Sequence, residues 1–311
     1  MRPLSEQRSK QTGGNAVAVR ARKDTTLAII LLAPTIYILF KVFIVPIFQS
    51  TVWSFYKYNL MDGSAIEPVG LRNYAETFQL HDFWVSMGNT AYFTVFSVGF
   101  ELILGFFSAM VLNHMFKGRI FFRGMIIVPW AMLTLVSGLL WNWIYQPGYG
   151  ALSVVLHDLH VLAPDSNPLW LSSSLKVVTF AAIADIWKMT PFMTLLLLAA
   201  MQSIPASLYE AAVMDGAGFW KKITHITIPQ LLPAAIVAVV LRIIGAYRVY
   251  DILTVFTGDP KTSISYLTFN YSFRYFYLGK ASAMAWVSTL FILILIIIYI
   301  MLLKKNQDME A

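Results

Sequence analysis

The chain has 311 residues, 58% of them hydrophobic and only 13% charged, with a formal net charge of +7. Soluble domains carry about 25% charged residues, so this composition, with a mean hydropathy of +0.65, excludes a soluble globular domain and predicts an all-α polytopic membrane protein. The positive charge is not a nucleic-acid footprint, because Arg2, Arg8, Lys10, Arg20, Arg22 and Lys23 precede the first apolar run and Lys304 and Lys305 follow the last.

A membrane-crossing helix needs about 20 mostly apolar residues. Six windows qualify: residues 27–52, 83–112, 121–145, 175–201, 231–256 and 281–303. Residues 1–24 read as a cytoplasmic tail and 25–311 as one transmembrane domain. The first window is longer than a signal-peptide core and no small-residue cleavage site follows it, which predicts an uncleaved first span. Lys117, Arg119 and Arg123 fill the second-to-third connection without an acid, and Lys221 and Lys222 lie in the fourth-to-fifth. Residues 146–174 instead carry Asp158 and Asp165 with no Lys or Arg. Positive loops stay inside, so both termini are expected in the cytoplasm. One outer connection departs from the rule: residues 257–280 hold Lys261, Arg274 and Lys280 against Asp259. Its aromatics, Tyr266, Phe269, Tyr271, Phe273, Tyr275, Phe276 and Tyr277, read as a packed re-entrant segment, the alternative being sugar stacking or docking of an external binding protein. Trp53, Tyr56 and Tyr58, then Trp84, then Trp141, Trp143 and Tyr145 mark span ends as interfacial anchors. No internal repeat is visible.

Four ionisable residues lie deep inside the second, fourth and fifth windows. At a 1.5 Å rise per residue, Asp185, Lys188 and Arg242 reach mid-bilayer depth, and Glu101 lies mid-span in the second window. Charges there are costly and mark either a transport pathway or a buried pair. Asp185, Lys188 and Phe192 share one helical face, and Pro191 frees backbone groups in the same turn, as in helices that line transport sites. The alternative is structural: an Asp185–Lys188 pair within one helix and a Glu101–Arg242 pair between two. His157 and His160 are too few for a metal site, and the lack of cysteine removes thiolate sites and thiol catalysis. No nucleophile–base constellation argues for a membrane enzyme.

Residues 203–229 interrupt the apolar pattern with charges, glycines and prolines. Ser207 to Glu210 reads as a capping box, Asp215–Gly216 as a helix break, and a second short helix is expected from about Phe219 to His225 before Pro229. The stretch "EAAVMDGAGFWKKITHITIP", residues 210–229, resembles the EAA loop of permease subunits in binding-protein-dependent ABC importers. Glu210, Ala211, Ala212, Asp215, Gly216, Ala217, Ile226 and Pro229 match its pattern, with Ile228 where leucine is usual. "PLWL" at 168–171, "IWKMTPF" at 186–192, "SIPASLYEAA" at 203–212 and "RVYDILTVFTGDP" at 248–260 extend the likeness to carbohydrate-uptake permeases of the maltose-transport A-subunit type.

That resemblance implies six transmembrane helices, with the EAA helices forming a cytoplasmic coupling loop between spans four and five. The loop would seat in an ATPase subunit and pass its closure to the spans. It further implies that Asp185, Lys188, Met189 and Phe192, with Arg242, Gly245 and Ala246, line the solute site. The implied partners are a second homologous permease, two ATP-hydrolysing subunits, an extracytoplasmic solute-binding protein and the lipid of a prokaryotic inner membrane. ATP and Mg would be used by the partner ATPases, with no cofactor on this chain. Consistent with a transport subunit that is no enzyme, no G-x-x-x-x-G-K-[ST] occurs: the only Gly-Lys, Gly279–Lys280, is followed by Ala281. A di- or oligosaccharide is the expected cargo. The cationic Lys188 and Arg242 keep glycerol phosphate or another anionic polyol open, and an ion-coupled secondary transporter is the alternative from another class.

Overall fold

The computed structural model describes residues 29–61, 66–114, 117–163 and 166–310, without the side chains of Pro260 and residues 302–310. The tail 1–24, Leu27, Asp165 and the side chains of Lys304 and Lys305, all used above, lie outside this set. Among the described residues five helices are long and apolar enough to cross a membrane, six if a pair bent by 91° is counted as one span. The five are α1 (Ile29–Trp53), α3 (His81–Asn113), α7 (Ser174–Gln202), α9 (Phe219–Tyr247) and α12 (Leu278–Met301, its helix continuing to Glu310). The bent pair is α4 (Arg119–Ala131) and α5 (Thr134–Ile144). Shorter elements join them: a two-residue hairpin of β1 (Tyr56–Lys57) and β2 (Glu67–Pro68), α2 (Arg72–Gln79), α6 (Ala151–Asp158), α8 (Ala206–Met214), α10 (Asp251–Phe256) and α11 (Ile264–Phe273).

The core is built on α3 and α7, which run in the same direction. Asn89 bonds Ser174 at 3.0 Å and Tyr92 meets Thr179 at 3.1 Å near their starts, while Met110 and Met201 line one cavity near their ends. Phe93, Ala181, Ala184, Met193 and Leu197 are buried between the central helices, and Ala238 and Val239 of α9 join them. A second cluster, of Phe83, Met87, Tyr247, Ile264, Leu267 and Met284, seats α11 and α12 against the start of α3.

Several sequence expectations are corrected. The third window is not one straight helix: α4 and α5 meet at 91°, just past Pro129, whose missing N–H and ring disrupt the turn before it. The fifth window ends early. Arg248 to Tyr250 break the helix after Tyr247, and α10 turns away to lie on α5, where Gly138 faces Ile252. Tyr145 is a core residue rather than an anchor, 3% exposed with its hydroxyl donating to the Phe180 carbonyl. The aromatic segment 257–280 is packed, as expected, at its helical part: Ile264, Tyr266, Leu267 and Asn270 are buried.

The exception to the charge rule has a local cause. The Lys280 ammonium lies 3.0 Å from a Glu76 carboxylate oxygen and Lys261 lies 3.7 Å from Asp82, so two of the three cations in residues 257–280 are matched by acids on α2 and at the start of α3. Lys280 donates a hydrogen bond to Glu76 and holds its carboxyl below the usual range.

Candidate functional site

Near the middles of α3 and α7, and five residues before the end of α9, the three helices bring a charged cluster together. Arg242 of α9 donates through Nε to Glu101 Oε2 at 2.5 Å and through Nη2 to Glu101 Oε1 at 2.7 Å, the two-pronged fork that suits guanidinium to carboxylate. The same Nη2 reaches Asp185 Oδ2 on α7 at 2.8 Å. Glu101 is fully buried, Arg242 is 5% exposed and the Asp185 side chain 13%. The guanidinium folds back over Gly245, where a Cβ would sit 3.2 Å from Nη1, so the glycine provides the room the fork needs.

This arrangement differs from the structural pairing anticipated from the sequence. The Glu101–Arg242 pair is present, but Asp185 turns to Arg242 and forms no ion pair with Lys188. Lys188 is 7% exposed, and the contact recorded for its ammonium is to the Met189 sulfur at 3.9 Å. Phe192, one turn further on, stacks on Trp130 at 6.2 Å between ring centroids, beside the break between α4 and α5. Ala246 is buried beside the cluster. The expected residues thus gather in one region, centred on α7 and α9. The Asp185–Arg242 bond was not foreseen, because rotation about the helix axis decides whether Asp185 meets Lys188 on its own helix or Arg242 on α9. Counted as ions, Glu101 and Asp185 balance Arg242 and Lys188.

At the end of the bundle where α3 and α7 finish, α8 lies with most of its residues exposed. No capping box forms. The helix starts at Ala206 directly after Pro205, so Ser207 lies inside the first turn rather than ahead of it, and no side-chain cap bond is made. The helix stops at Asp215–Gly216 as expected. Ala217 N–H donates to the Ala212 carbonyl at 2.8 Å and Gly216 N–H to Val213 at 3.0 Å, the paired bonds of a Schellman cap, with Gly216 at φ +72°. A Cβ on Gly216 would meet nothing within this chain, so conformation and not internal crowding calls for glycine here.

The second coupling helix is not a separate element. Phe219 opens α9, which continues through a π-helical turn, Ile223–Thr227, into the membrane with Pro229 inside it. The proline explains the wide turn: it offers no N–H, and its ring would collide with the carbonyl four residues back. Tyr209 of α8 is within 3.0 Å of Thr227 at that turn, hydroxyl to hydroxyl. Glu210, Ala211, Asp215 and Pro229 are exposed, with Ala212, Ala217 and Ile226 half-buried. Large apolar side chains stand out beside them, Met214 at 87% and Trp220 at 71% exposed.

Comparison with known proteins bears on the family and the fold. The family model for the binding-protein-dependent transport system inner membrane component matches residues 101–308. The trehalose/maltose transport system permease protein MalF of Thermococcus litoralis is 44% identical over 207 residues, 65% of this chain and 69% of that protein. The trehalose transport system permease protein SugA of Mycobacterium tuberculosis is 31% identical over 264 residues, 84% of this chain and 83% of that one. Among solved structures, a chain of a bacterial ABC transporter involved in the import of the acidic polysaccharide alginate shares the fold, with a TM-score of 0.76 over 93% of this chain and 99% of that chain at 21% identity.

Proposed function

The chain belongs to the binding-protein-dependent transport system inner membrane components, multi-pass membrane proteins, and from that membership we propose that it is the permease subunit of an ATP-driven importer of a di- or oligosaccharide. Relatives named for trehalose and maltose, and for trehalose, support a sugar as cargo. A solute-binding protein delivers it, as the family's description requires. A second permease completes the pathway across a prokaryotic inner membrane, and two ATPase subunits, using ATP and Mg, supply the energy.

In this reading residues 25–311 form the transmembrane domain behind the tail 1–24, both termini are cytoplasmic, and residues 203–229 are the coupling loop. The observation that carries it is the exposed, glycine-capped helix α8 with the apolar knobs Met214 and Trp220 beside it. A helix lying on headgroups needs no rigid cap at a fixed turn, whereas a helix that transmits force does. Asp185, Lys188, Met189 and Phe192 of α7, with Arg242, Gly245 and Ala246 of α9, line the sugar path. Because Glu101 and Asp185 offset Arg242 and Lys188, the cluster counted as ions carries no net charge, which favours an uncharged sugar over an anionic polyol.

The test is reconstitution of the tagged chain with its co-expressed partners in liposomes. ATP hydrolysis should rise only when the binding protein is loaded with its sugar, identified beforehand by thermal shift over a sugar panel. Purification of the chain without any ATPase subunit, or uptake driven by an ion gradient alone, would overturn the reading.

A further inference from the structure

Three crossing helices have an end at one cavity. α1 finishes at Trp53, α3 begins at His81 and α12 at Leu278. A pocket of about 500 Å³ lies among the β1–β2 hairpin, α2 and the first turn of α12. The ends of crossing helices stand at the headgroup layer, so the pocket shares that depth whichever side of the membrane it faces. Tyr58, which lines it, packs edge to face on Trp53 at 5.3 Å between ring centroids, an aromatic pair suited to that level.

The walls are held by backbone and amide bonds. Gly279 N–H donates to the Tyr58 carbonyl at 3.2 Å and Leu60 N–H to the Phe276 carbonyl at 3.1 Å. The Asn73 amide donates to the carbonyls of Ser54 and Tyr56, at 2.9 Å each. A Cβ on Gly279 would run into the Tyr56 carbonyl, so the start of α12 lies directly on the hairpin.

The charges on these walls do not cancel. Three cations, Lys57, Arg72 and Lys280, share the lining with two carboxylates, Glu67 and Glu76. Lys57 and Glu67 are cross-strand partners in the hairpin. Glu76 is divided: Oε1 accepts from Arg72 Nε at 2.8 Å, and Oε2 lies 3.0 Å from Lys280 Nζ. One carboxylate between two cations leaves a positive charge over. The Arg72 side chain is 73% exposed and its Nη groups make no hydrogen bond among the described residues, which keeps one edge of the guanidinium for a second anion. Next in sequence to lining residues, Leu60, Ile66 and Leu71 are each more than half exposed. A small soluble anion has no use for an apolar border at headgroup depth, whereas an acyl chain does.

We propose that this pocket holds the phosphodiester of an anionic phospholipid, gripped by Arg72 and Lys280, with an acyl chain running past Leu71. Its residues belong neither to the proposed sugar path nor to the coupling loop, so the proposal stands apart from the permease reading.

The test uses the full chain in its co-expressed complex, in a polyoxyethylene detergent, titrated with dioleoyl phosphatidylglycerol and followed by native mass spectrometry. Arg72→Gln and Lys280→Met should each weaken retention of one phosphatidylglycerol about tenfold, the loss of one charge-assisted hydrogen bond. Diacylglycerol, which lacks the phosphate, should not be retained. A phosphatidylglycerol with a diazirine in its acyl chain should label the peptide around Leu71 in the unaltered chain, a result that needs no variant to fold. Variants that bind at the parent level, diacylglycerol held as well as phosphatidylglycerol, or label spread evenly over the spans would each overturn the proposal. Inorganic phosphate displacing the lipid at equal concentration would give the pocket to a free anion. A photo-crosslinker at Leu71 that captures the solute-binding protein and no lipid would give it to a protein. Either result ends the lipid assignment.

Discussion

The buried triad makes a quantitative prediction, because removing one ion and removing a matched pair should have opposite consequences. Arg242→Met leaves Glu101, which is fully buried, and Asp185 without their shared cation, and stranding a buried charge costs about 3–5 kcal/mol. Glu101→Met in the same chain removes the more deeply buried of the two stranded charges and leaves Asp185 to Lys188, one helical turn away on α7. Replacing a buried pair by apolar groups of similar volume is often near neutral, so the double variant should return to within about 1 kcal/mol of the parent. The measurement is a double-mutant cycle by tryptophan-monitored unfolding in micelles, each chain compared at one detergent concentration. A coupling energy above about 2 kcal/mol is expected for residues joined by two hydrogen bonds. An Arg242→Met cost below about 1 kcal/mol, or strictly additive single costs, would refute the triad as a fixed structural element. Uptake in the double variant adds a second reading: stability restored with solute preference changed means that Arg242 also touches cargo.

Three further outcomes are expected. Gly216→Val should insert and assemble but lose stimulation of ATP hydrolysis by loaded binding protein, since φ +72° costs a β-branched residue about 1–3 kcal/mol and the Schellman cap goes with it; full stimulation would remove the coupling role. Lys188→Ala and Asp185→Asn should each lower liposome uptake while the complex still purifies, and parent-rate uptake with unchanged preference would take both residues out of the sugar path. Lys280→Met should cost less than about 1 kcal/mol at neutral pH, the pair being partly exposed. Because Glu76 titrates below its usual range in the folded chain, its contribution is present above the unfolded value and is lost as pH falls through the folded one. The gap between parent and Lys280→Met in thermal unfolding should therefore hold from pH 8 to about 5 and close below about pH 4.

Hydropathy made the spans legible because each crossing needs its own length of apolar chain, whatever it packs against. Windows 83–112 and 175–201 fall inside α3 and α7 for that reason. The break at Met132–Leu133 was not legible, because the residues there are as apolar as their neighbours and the bend comes from backbone bonds lost at Pro129; after Tyr247 the charged Arg248 and Asp251 marked the break, but the fifth window was carried through them to Phe256. The cluster was half legible. Depth along a helix can be counted, so Glu101, Asp185, Lys188 and Arg242 were placed at one level. Rotation about the helix axis cannot be counted across separate helices, so the Asp185–Arg242 bond needed the structure. In the loop, Gly216 was read correctly as a stop because positive φ selects glycine, while the capping box failed because Pro205 starts the helix before Ser207 can cap it.

The continuity of α9 changes how the two regions relate. Had Phe219–His225 been an independent helix, a push on the loop would have to cross a flexible joint before reaching the spans. Instead Trp220, Thr227 and Arg242 lie on one helix, with α8 held to it by the Tyr209–Thr227 contact. From Thr227 to Arg242 is about 22 Å of helix. On the proposed coupling, a displacement of α8 therefore reaches Glu101 and Asp185 through Arg242 without an intermediate element. The π turn at Ile223–Thr227 and the prolines at 229 and 233 are where that helix can bend. A rigid rod would move both ends alike. A rod with a soft turn near its driven end lets the loop rotate while the triad either holds or breaks as a unit, and a fork of charge-assisted hydrogen bonds from one guanidinium to two helices has that two-state character.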